Sequence, residues 1–301
     1  MNAPVDGVLV VDKPSGPTSH DVVSVARRAL GTPKVGHTGT LDPLATGVLP
    51  LVVGRATRLA RYMTGDVKVY EARVTFGRAT DTYDAMGAST LDTGRHPAPE
   101  ALAAALVPFS GPQRQTPPAY SAKKIGGEAA YKLARRDAAV VPAAVTVVVH
   151  ALDLVAYEAG VATFTLRVSS GFYVRSLAHD LGVALGTGAH LSALRRTQAG
   201  AFTLAAALSW EGLVGGGPPA RAAVLPIDGL LPSLPAVVLS PEQAARARHG
   251  QCVQALLPPY AGALPVRLVD EHGRLIGLAE PGPAPGAAAL LSSLQPVVIL
   301  G

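Results

Sequence analysis

The clearest alternation in the chain runs through Tyr70, Ala72, Val74 and Phe76, with Glu71, Arg73 and Thr75 between them. A period of two marks a strand with one buried face, so Tyr70 points to the same inward side as Phe76. Unbroken apolar runs at 8–11 and 48–53 predict two more strands. Between them Thr18 or Ser19 caps a helix reaching about Leu30, where Gly31 can close it. A loop rich in Gly, Thr and Pro follows, over 34–47. Arg55, Arg58 and Arg61 recur at three-residue spacing on a short helix after Gly54. Residues 97–107 read as a helix. Residues 145–157 and 161–170 read as two long strands paired through a turn at 158–160. The helix after Gly171 carries Val174, Leu177, Ala178 and Leu181 on one face and ends at Gly186 and Gly188.

Gly and Pro at 215–219 and the string 225–235 read as linker material. Beyond them Ser240-Pro241-Glu242 is a helix start with Pro at the first helical position. Two short strands, 266–269 and 275–278, meet through a turn at 271–273, and 281–289 reads as a loop. The division expected is a large domain over 1–230 and a small, strand-rich domain over 231–301.

The chain has 301 residues, 49% hydrophobic and 16% charged, enough to bury a core without staples. No apolar run approaches the ~20 residues of a membrane span. The N-terminus lacks the pattern of a secretory signal. The single cysteine, Cys252, leaves no intrachain disulfide and no Cys-rich zinc site. The expectation is a cytoplasmic protein, monomeric, with no cofactor, no metal and no obligatory protein partner. The net charge of +5 lies entirely within 1–230, and the last part is neutral. Residues 110–140 hold Arg114, Lys123, Lys124, Lys132, Arg135 and Arg136 against Glu128 and Asp137, with Tyr120 and Tyr131 among them. A basic element with interleaved aromatics suits a polyanion such as RNA; a solvated surface helix would carry the same charges.

The densest signal is Gly36-His37-Thr38-Gly39-Thr40-Leu41-Asp42-Pro43-Leu44-Ala45-Thr46-Gly47. Its glycines and prolines set a backbone path that presents Asp42 rather than packing it, although an aspartate in such a loop also serves as a turn former. This stretch resembles the catalytic motif of the bacterial TruB family, the tRNA pseudouridine-55 synthases. Five further motifs follow the family's pattern and order. They are Gly7-Val8-Leu9-Val10-Val11-Asp12-Lys13-Pro14; Tyr70 through Gly77 with Thr80-Asp81-Thr82-Tyr83-Asp84; Gln115-Thr116-Pro117-Pro118-Ala119-Tyr120-Ser121-Ala122-Lys123-Lys124; Ser170-Gly171-Phe172-Tyr173-Val174-Arg175; and Gly186-Thr187-Gly188-Ala189-His190-Leu191 with Leu194-Arg195-Arg196.

The resemblance covers about 7–230. It implies an α+β fold: a mixed, mainly antiparallel sheet core of the pseudouridine synthase type, flanking helices, a basic RNA-clasping insertion at 110–140 and a small β-rich, PUA-like C-terminal domain. It implies isomerisation of a uridine in the T loop of tRNA, at position 55. Asp42 is then the essential carboxylate, either attacking C1′ or assisting loss of the C2′ proton. Arg175 is the site cation that favours the carboxylate anion. Tyr70 stacks on the base, Tyr173 is a second pocket residue, and Leu194 supplies an apolar wall. His37 serves RNA recognition and base flipping, since a uridine in a folded T loop must be extruded to react. Lys13 and the basic residues of the insertion, Arg114, Lys123, Lys124, Lys132, Arg135 and Arg136, are the remaining expected RNA contacts.

Two other readings share these residues. One is a pseudouridine synthase with another RNA target. The other is a tRNA-folding chaperone or RNA-binding protein in which chemistry is not required; the presence of Asp42, Tyr70 and Arg175 together speaks for chemistry. A uridine methyltransferase acting through a thiolate would need a cysteine in a motif, and Cys252 lies outside all of them.

Overall fold

The structure is a computed structural model. It describes residues 5–65, 67–121, 123–130, 133, 136, 142–257, 265–282 and 291–300, without the side chains of 124 and 129. Strand β1 (Gly7–Lys13) leads into helix α1 (Ser19–Leu30), followed by β2 (Val35–His37), β3 (Thr46–Val53), the short α2 (Ala60–Met63) and β4 (Lys68–Phe76). A hairpin of β5 (Arg78–Thr80) and β6 (Ser89–Asp92) precedes α3 (Pro99–Leu106) and β7 (Gly111–Gln115). Two-residue strands β8 (Lys124–Ile125) and β9 (Glu128–Ala129) lie in the basic segment. Then come β10 (Val145–Glu158), β11 (Val161–Val168), α4 (Val174–Ala184), β12 (Ala189–Ala199), β13 (Phe202–Thr203), α5 (Trp210–Gly215), α6 (Gly217–Ala222) and β14 (Val224–Pro226).

These strands form one sheet in the order β14-β1-β3-β12-β4-β11-β10-β7, with β2 on β3 and β13 on β12. Every pairing in it is antiparallel except β3 with β12, which meet in parallel at Thr46 and Gly47. The α+β core with a mainly antiparallel mixed sheet agrees with expectation. At the β4 end one face is buried against helices, which is why that strand alternates. At the β1 end both faces are covered, so Gly7–Lys13 reads as a continuous apolar run. Leu9 and Val11 pack with α1, while Val8 and Val10 pack on the opposite face.

Helix α1 begins with Thr18, not Ser19, as its cap. The Thr18 hydroxyl accepts from the Asp21 amide and Asp21 reaches back to the Thr18 backbone. Gly31 closes the helix in the left-handed region, as its position predicts.

Neither expected linker is loose. Residues 215–219 contain the end of α5 and the start of α6, separated by Gly216 at φ 61°. Proline is tolerated in a first helical turn, where its missing N–H costs nothing. Residues 224–226 pair with β1, Gly7 opposite Pro226.

The C-terminal part holds β15 (Ala236–Val238), α7 (Pro241–Arg248), β16 (Val253–Ala255), β17 (Val266–Val269), β18 (Leu275–Pro281) and β19 (Ser292–Ile299) in a five-stranded sheet. Ser240 and Gln243 make the capping box expected at the start of α7. Most of the expected 281–289 loop lies outside the described residues. The apolar terminus is structural. Val298 and Leu300 join Val8, Val10, Val48 and Val52 in one buried cluster shared by the two sheets. Arg55 and Arg58 donate to the carbonyls of Leu300 and Ile299.

Candidate active site

The loop between β2 and β3 presents Asp42 at the mouth of a cleft of about 370 Å3. His37, Asp42, Tyr70, Tyr173, Arg175 and Leu194 all line it. Strand register and helix phase bring them together. Leu194 lies opposite Ala72, and Arg196 opposite Tyr70. Directly opposed residues of an antiparallel pair share a face, so Tyr70, Leu194 and Arg196 point into the cleft together. Tyr173 and Arg175 sit at the N-terminus of α4.

Asp42 is 36% exposed, and its Oδ2 accepts from Arg175 Nε at 2.9 Å. The Arg175 side chain is 5% exposed, and all three nitrogens of its guanidinium are engaged. Its Nη1 donates to the Thr82 carbonyl and its Nη2 to the Tyr120 carbonyl, both at 2.9 Å. Nε also lies 3.7 Å from Oδ2 of Asp84, which is 8% exposed. Asp84 in turn accepts from the Thr82 hydroxyl and the Met86 amide. Arg175 therefore joins the Asp42 loop, the 82–84 turn and the root of the basic insertion through one planar fork. Tyr83, in that turn, takes φ 64°, and its ring stacks on His179 at 3.9 Å.

The Asp42 loop is built on buried cations and one serine. Arg196 is 1% exposed and donates to the carbonyls of Val48 (2.7 Å), Gly39 (3.1 Å) and Thr40 (3.4 Å). The Ser19 hydroxyl accepts from the Leu41 amide at 2.8 Å and donates to the Leu41 carbonyl at 3.0 Å. Gly47 has φ 100°, and a Cβ there would overlap the Arg196 carbonyl oxygen. Only glycine lets the loop run this close to β12.

Lys13 departs from expectation. The resemblance places it among the RNA contacts, but it is fully buried under the loop. Its ammonium donates to the carbonyls of Ala45 (2.7 Å), Pro14 (2.9 Å) and Pro43 (3.4 Å). Burial pushes this amine down to about 8, with Asp42 opposing and Arg196 adding to the effect. The unfolded chain, with its lysine near 10.5, then binds more protons than the folded chain between about pH 8 and pH 10.5. Stability contributed at this position rises with pH across that window. The thermal midpoint of the wild-type chain minus that of Lys13→Met is expected to grow from pH 8 to about pH 10. A difference that stays flat would show that burial does not lower the Lys13 amine in the folded chain.

His37 faces the cleft, and burial, followed by Arg196 and His20, lowers its pKa below the ordinary histidine value. It is therefore the neutral imidazole near pH 7. Its Nδ1 is buried without a hydrogen-bond partner among the described residues. Burial raises the Tyr173 phenol, against the opposing effect of a hydrogen bond with Ser121; the Asp42 charge adds to the rise and the Arg175 charge opposes it. Both groups are neutral hydrogen-bonding partners at the cleft wall.

Among the described residues, the insertion's Arg114, Lys123 and Arg136 do not line the cleft. Arg114 donates to the Ala144 carbonyl and Lys123 to the Ala143 carbonyl. Arg136 pairs with Glu128 at 2.9 Å. Lys132, Arg135 and the side chain of Lys124 lie outside the described residues. Among the described residues no three of His, Cys, Asp and Glu converge as metal ligands, and no helix is long and apolar enough to cross a membrane.

Sequence pattern alone gives no site role to Arg196, Ser19, Asp84 or Gln115. For Arg196 a signal exists: it lies two residues after inward-facing Leu194 on the same strand. Ser19 stands out in the sequence only as an alternative helix cap.

Three family descriptions match in chain order. The TruB family pseudouridylate synthase N-terminal domain covers 27–174, the tRNA pseudouridylate synthase B C-terminal domain 175–231, and the pseudouridine synthase II TruB C-terminal region 235–283. A tRNA pseudouridine synthase B of Symbiobacterium thermophilum is 48% identical over 250 residues, 82% of this chain and 82% of its own. Another, from Solibacter usitatus, is 48% identical over 282 residues, 92% of this chain and 96% of its own. A chain in a solved Cbf5–Nop10–Gar1 complex matches with a TM-score of 0.76 at 26% identity, covering 98% of this chain and 85% of that chain. The chain and its fold are thus those of a pseudouridylate synthase. Within that class the chain belongs to the TruB family.

Proposed function

We propose that this protein converts uridine 55 in the T loop of tRNA to pseudouridine, with Asp42 carrying the chemistry. The observation that carries the reading is the Asp42–Arg175 contact at 2.9 Å at the mouth of a cleft walled by Tyr70 and Leu194. The relatives' name, tRNA pseudouridine synthase B, supports tRNA as the substrate.

The reaction breaks the N1–C1′ bond, turns the base and joins C5 to C1′. C5 gives up its proton and N1 gains one, so nothing is oxidised and no group is carried away. A cleft of about 370 Å3 suits one extruded nucleoside, at the small end of ligand pockets. Tyr70 offers a ring face to the uracil, and Leu194 an apolar wall. The neutral His37 and Tyr173 offer hydrogen bonds without competing for the Asp42 charge. Asp42 acts on the sugar, by attack at C1′ or by assisting loss of the C2′ proton. Affinity comes from cations elsewhere, including the insertion, because phosphate contacts position an RNA while the pocket selects the base.

The test is tritium release from an unmodified tRNA transcript carrying 5-tritiated uridine, with the product mapped. One tritium per tRNA should enter water, and the new residue should be at position 55. No release by folded protein would end the enzymatic reading. Release with a product outside the T loop would end the assignment of position.

A further inference from the structure

Gln115 ends β7, opposite Val145, where the chain leaves the sheet for the basic insertion. It is 4% exposed. Its Oε1 accepts from the Tyr173 amide at 2.7 Å, and its Nε2 donates to the Tyr173 carbonyl at 3.0 Å. A single side chain thus pairs with both backbone groups of one residue, as a neighbouring strand would. That residue is the N-cap of α4, at φ −110° and ψ 109°, and its own side chain offers no cap. Two more contacts continue the seam. Ser176 donates to the Thr116 carbonyl at 2.8 Å, and Arg175 donates to the Tyr120 carbonyl. The same α4 turn places Tyr173 and Arg175 in the cleft.

We propose that Gln115 is a positioning residue: it fixes the α4 N-terminus, and with it Tyr173 and the Arg175 fork, to the root of the insertion. The physical argument is one of degrees of freedom. Helix termini fray because their first amides lack internal partners. Here the entry residue is clamped from outside by an amide whose donor and acceptor are both used. Displacing Tyr173 would rotate the first turn of α4 and pull Arg175 from Asp42. Misplacements of about 1 Å at a reacting group cost up to about a hundredfold in rate. The same seam gives RNA held by the insertion a short mechanical route to the carboxylate: through residues 115–120 to residues 173–176, then through Arg175 to Asp42.

The inference rests on the proposed isomerisation for its kinetic consequence, but its structural content can be tested without turnover. Two variants separate the cases. Gln115→Ala removes both bonds. Gln115→Glu keeps the size and the acceptor but sets an oxygen against the Tyr173 carbonyl. In the free protein, hydrogen exchange of the Tyr173 amide should quicken at least about tenfold in Gln115→Ala, as its side-chain acceptor is lost. On 5-tritiated tRNA both variants should lower the single-turnover rate by about tenfold to a hundredfold, while tRNA binding stays within about threefold of wild type. In an Arg175→Lys background the further loss from Gln115→Ala should shrink to less than about threefold, because coupled residues do not add. Unchanged Tyr173 protection would overturn the proposal. So would full additivity with Arg175→Lys, or a loss confined to tRNA affinity. If wild-type protein released no tritium, the functional reading would fail, and the exchange measurement alone would decide the role of Gln115.

Discussion

Asp42→Asn is expected to lower single-turnover tritium release by at least roughly four orders of magnitude, the scale lost when a reacting side chain is removed. Binding of tRNA should change less than about threefold. The substitution is nearly isosteric, and an asparagine carbonyl can still accept from Arg175 Nε where Asp42 Oδ2 does now. The loop should keep its shape, since apart from that contact none of its supports uses the Asp42 side chain. Ser19 grips Leu41, Lys13 holds the carbonyls of Pro43 and Ala45, and Arg196 holds those of Gly39, Thr40 and Val48. What disappears is the anion. Release of tritium at a tenth of the wild-type rate would end the assignment of Asp42, and a large fall in tRNA affinity would move its role to binding.

Arg175→Ala and Arg175→Lys should both lose activity, in the order Arg, then Lys, then Ala. The guanidinium meets two carboxylates and two carbonyls from three segments of chain. Alanine leaves the carbonyls of Thr82 and Tyr120 without their donor and Asp42 beside Asp84 with no cation between them. We expect a rate loss of about 100-fold to 1000-fold, typical when one preorganised charge-stabilising group is deleted. The thermal midpoint should fall as well, because breaking a buried charge pair leaves the partner charge behind; the partial exposure of Asp42 limits that fall. Lysine restores a charge, but its donors radiate from one atom and do not reproduce the three separately placed nitrogens that reach Asp42 and the carbonyls of Thr82 and Tyr120. Rates are compared at saturating enzyme on tritiated tRNA, alongside melting curves. A lysine variant equal to wild type would reduce the role of Arg175 to bare charge. An alanine variant with wild-type rate would remove Arg175 from the site.

The alternation at 70–76 is enough by itself to turn Tyr70 inward, and the Gly- and Pro-shaped loop singles out Asp42. The side of Tyr70 is legible because backbone pattern alone decides it; for Asp42 the pattern gives only its presentation, and its role comes from the family resemblance. The buried cations are illegible for a physical reason. Lys13 and Arg196 carry charges that pattern reading assigns to water. What keeps them inside is a set of main-chain carbonyls, from a loop about 30 residues along the chain for Lys13 and from across the β3–β12 pairing for Arg196. Those acceptors have no signature in side-chain sequence. A charge count gives no sign that Arg114 and Lys123, both expected RNA contacts, each also donate to a carbonyl, those of Ala144 and Ala143. The Pro-rich strings at 215–219 and 225–235 resemble linkers because proline breaks elements from within; at a first helical turn, or on an edge strand such as β14, it does not.

The cluster in which Val298 and Leu300 meet Val8, Val10, Val48 and Val52 bears on how this enzyme can be remodelled. A tail that merely hung from a linker could be exchanged for an RNA-binding module at little cost. Here the last residues close the outer face of the strands leading to Lys13 and away from Gly47, and their carbonyls take the guanidinium groups of Arg55 and Arg58. A grafted replacement would have to reproduce that apolar lid and those two acceptors before it contributed any specificity of its own. The C-terminal sheet is thus a keystone for the large sheet, and retargeting by module swapping is a problem of core repair before it is one of RNA recognition.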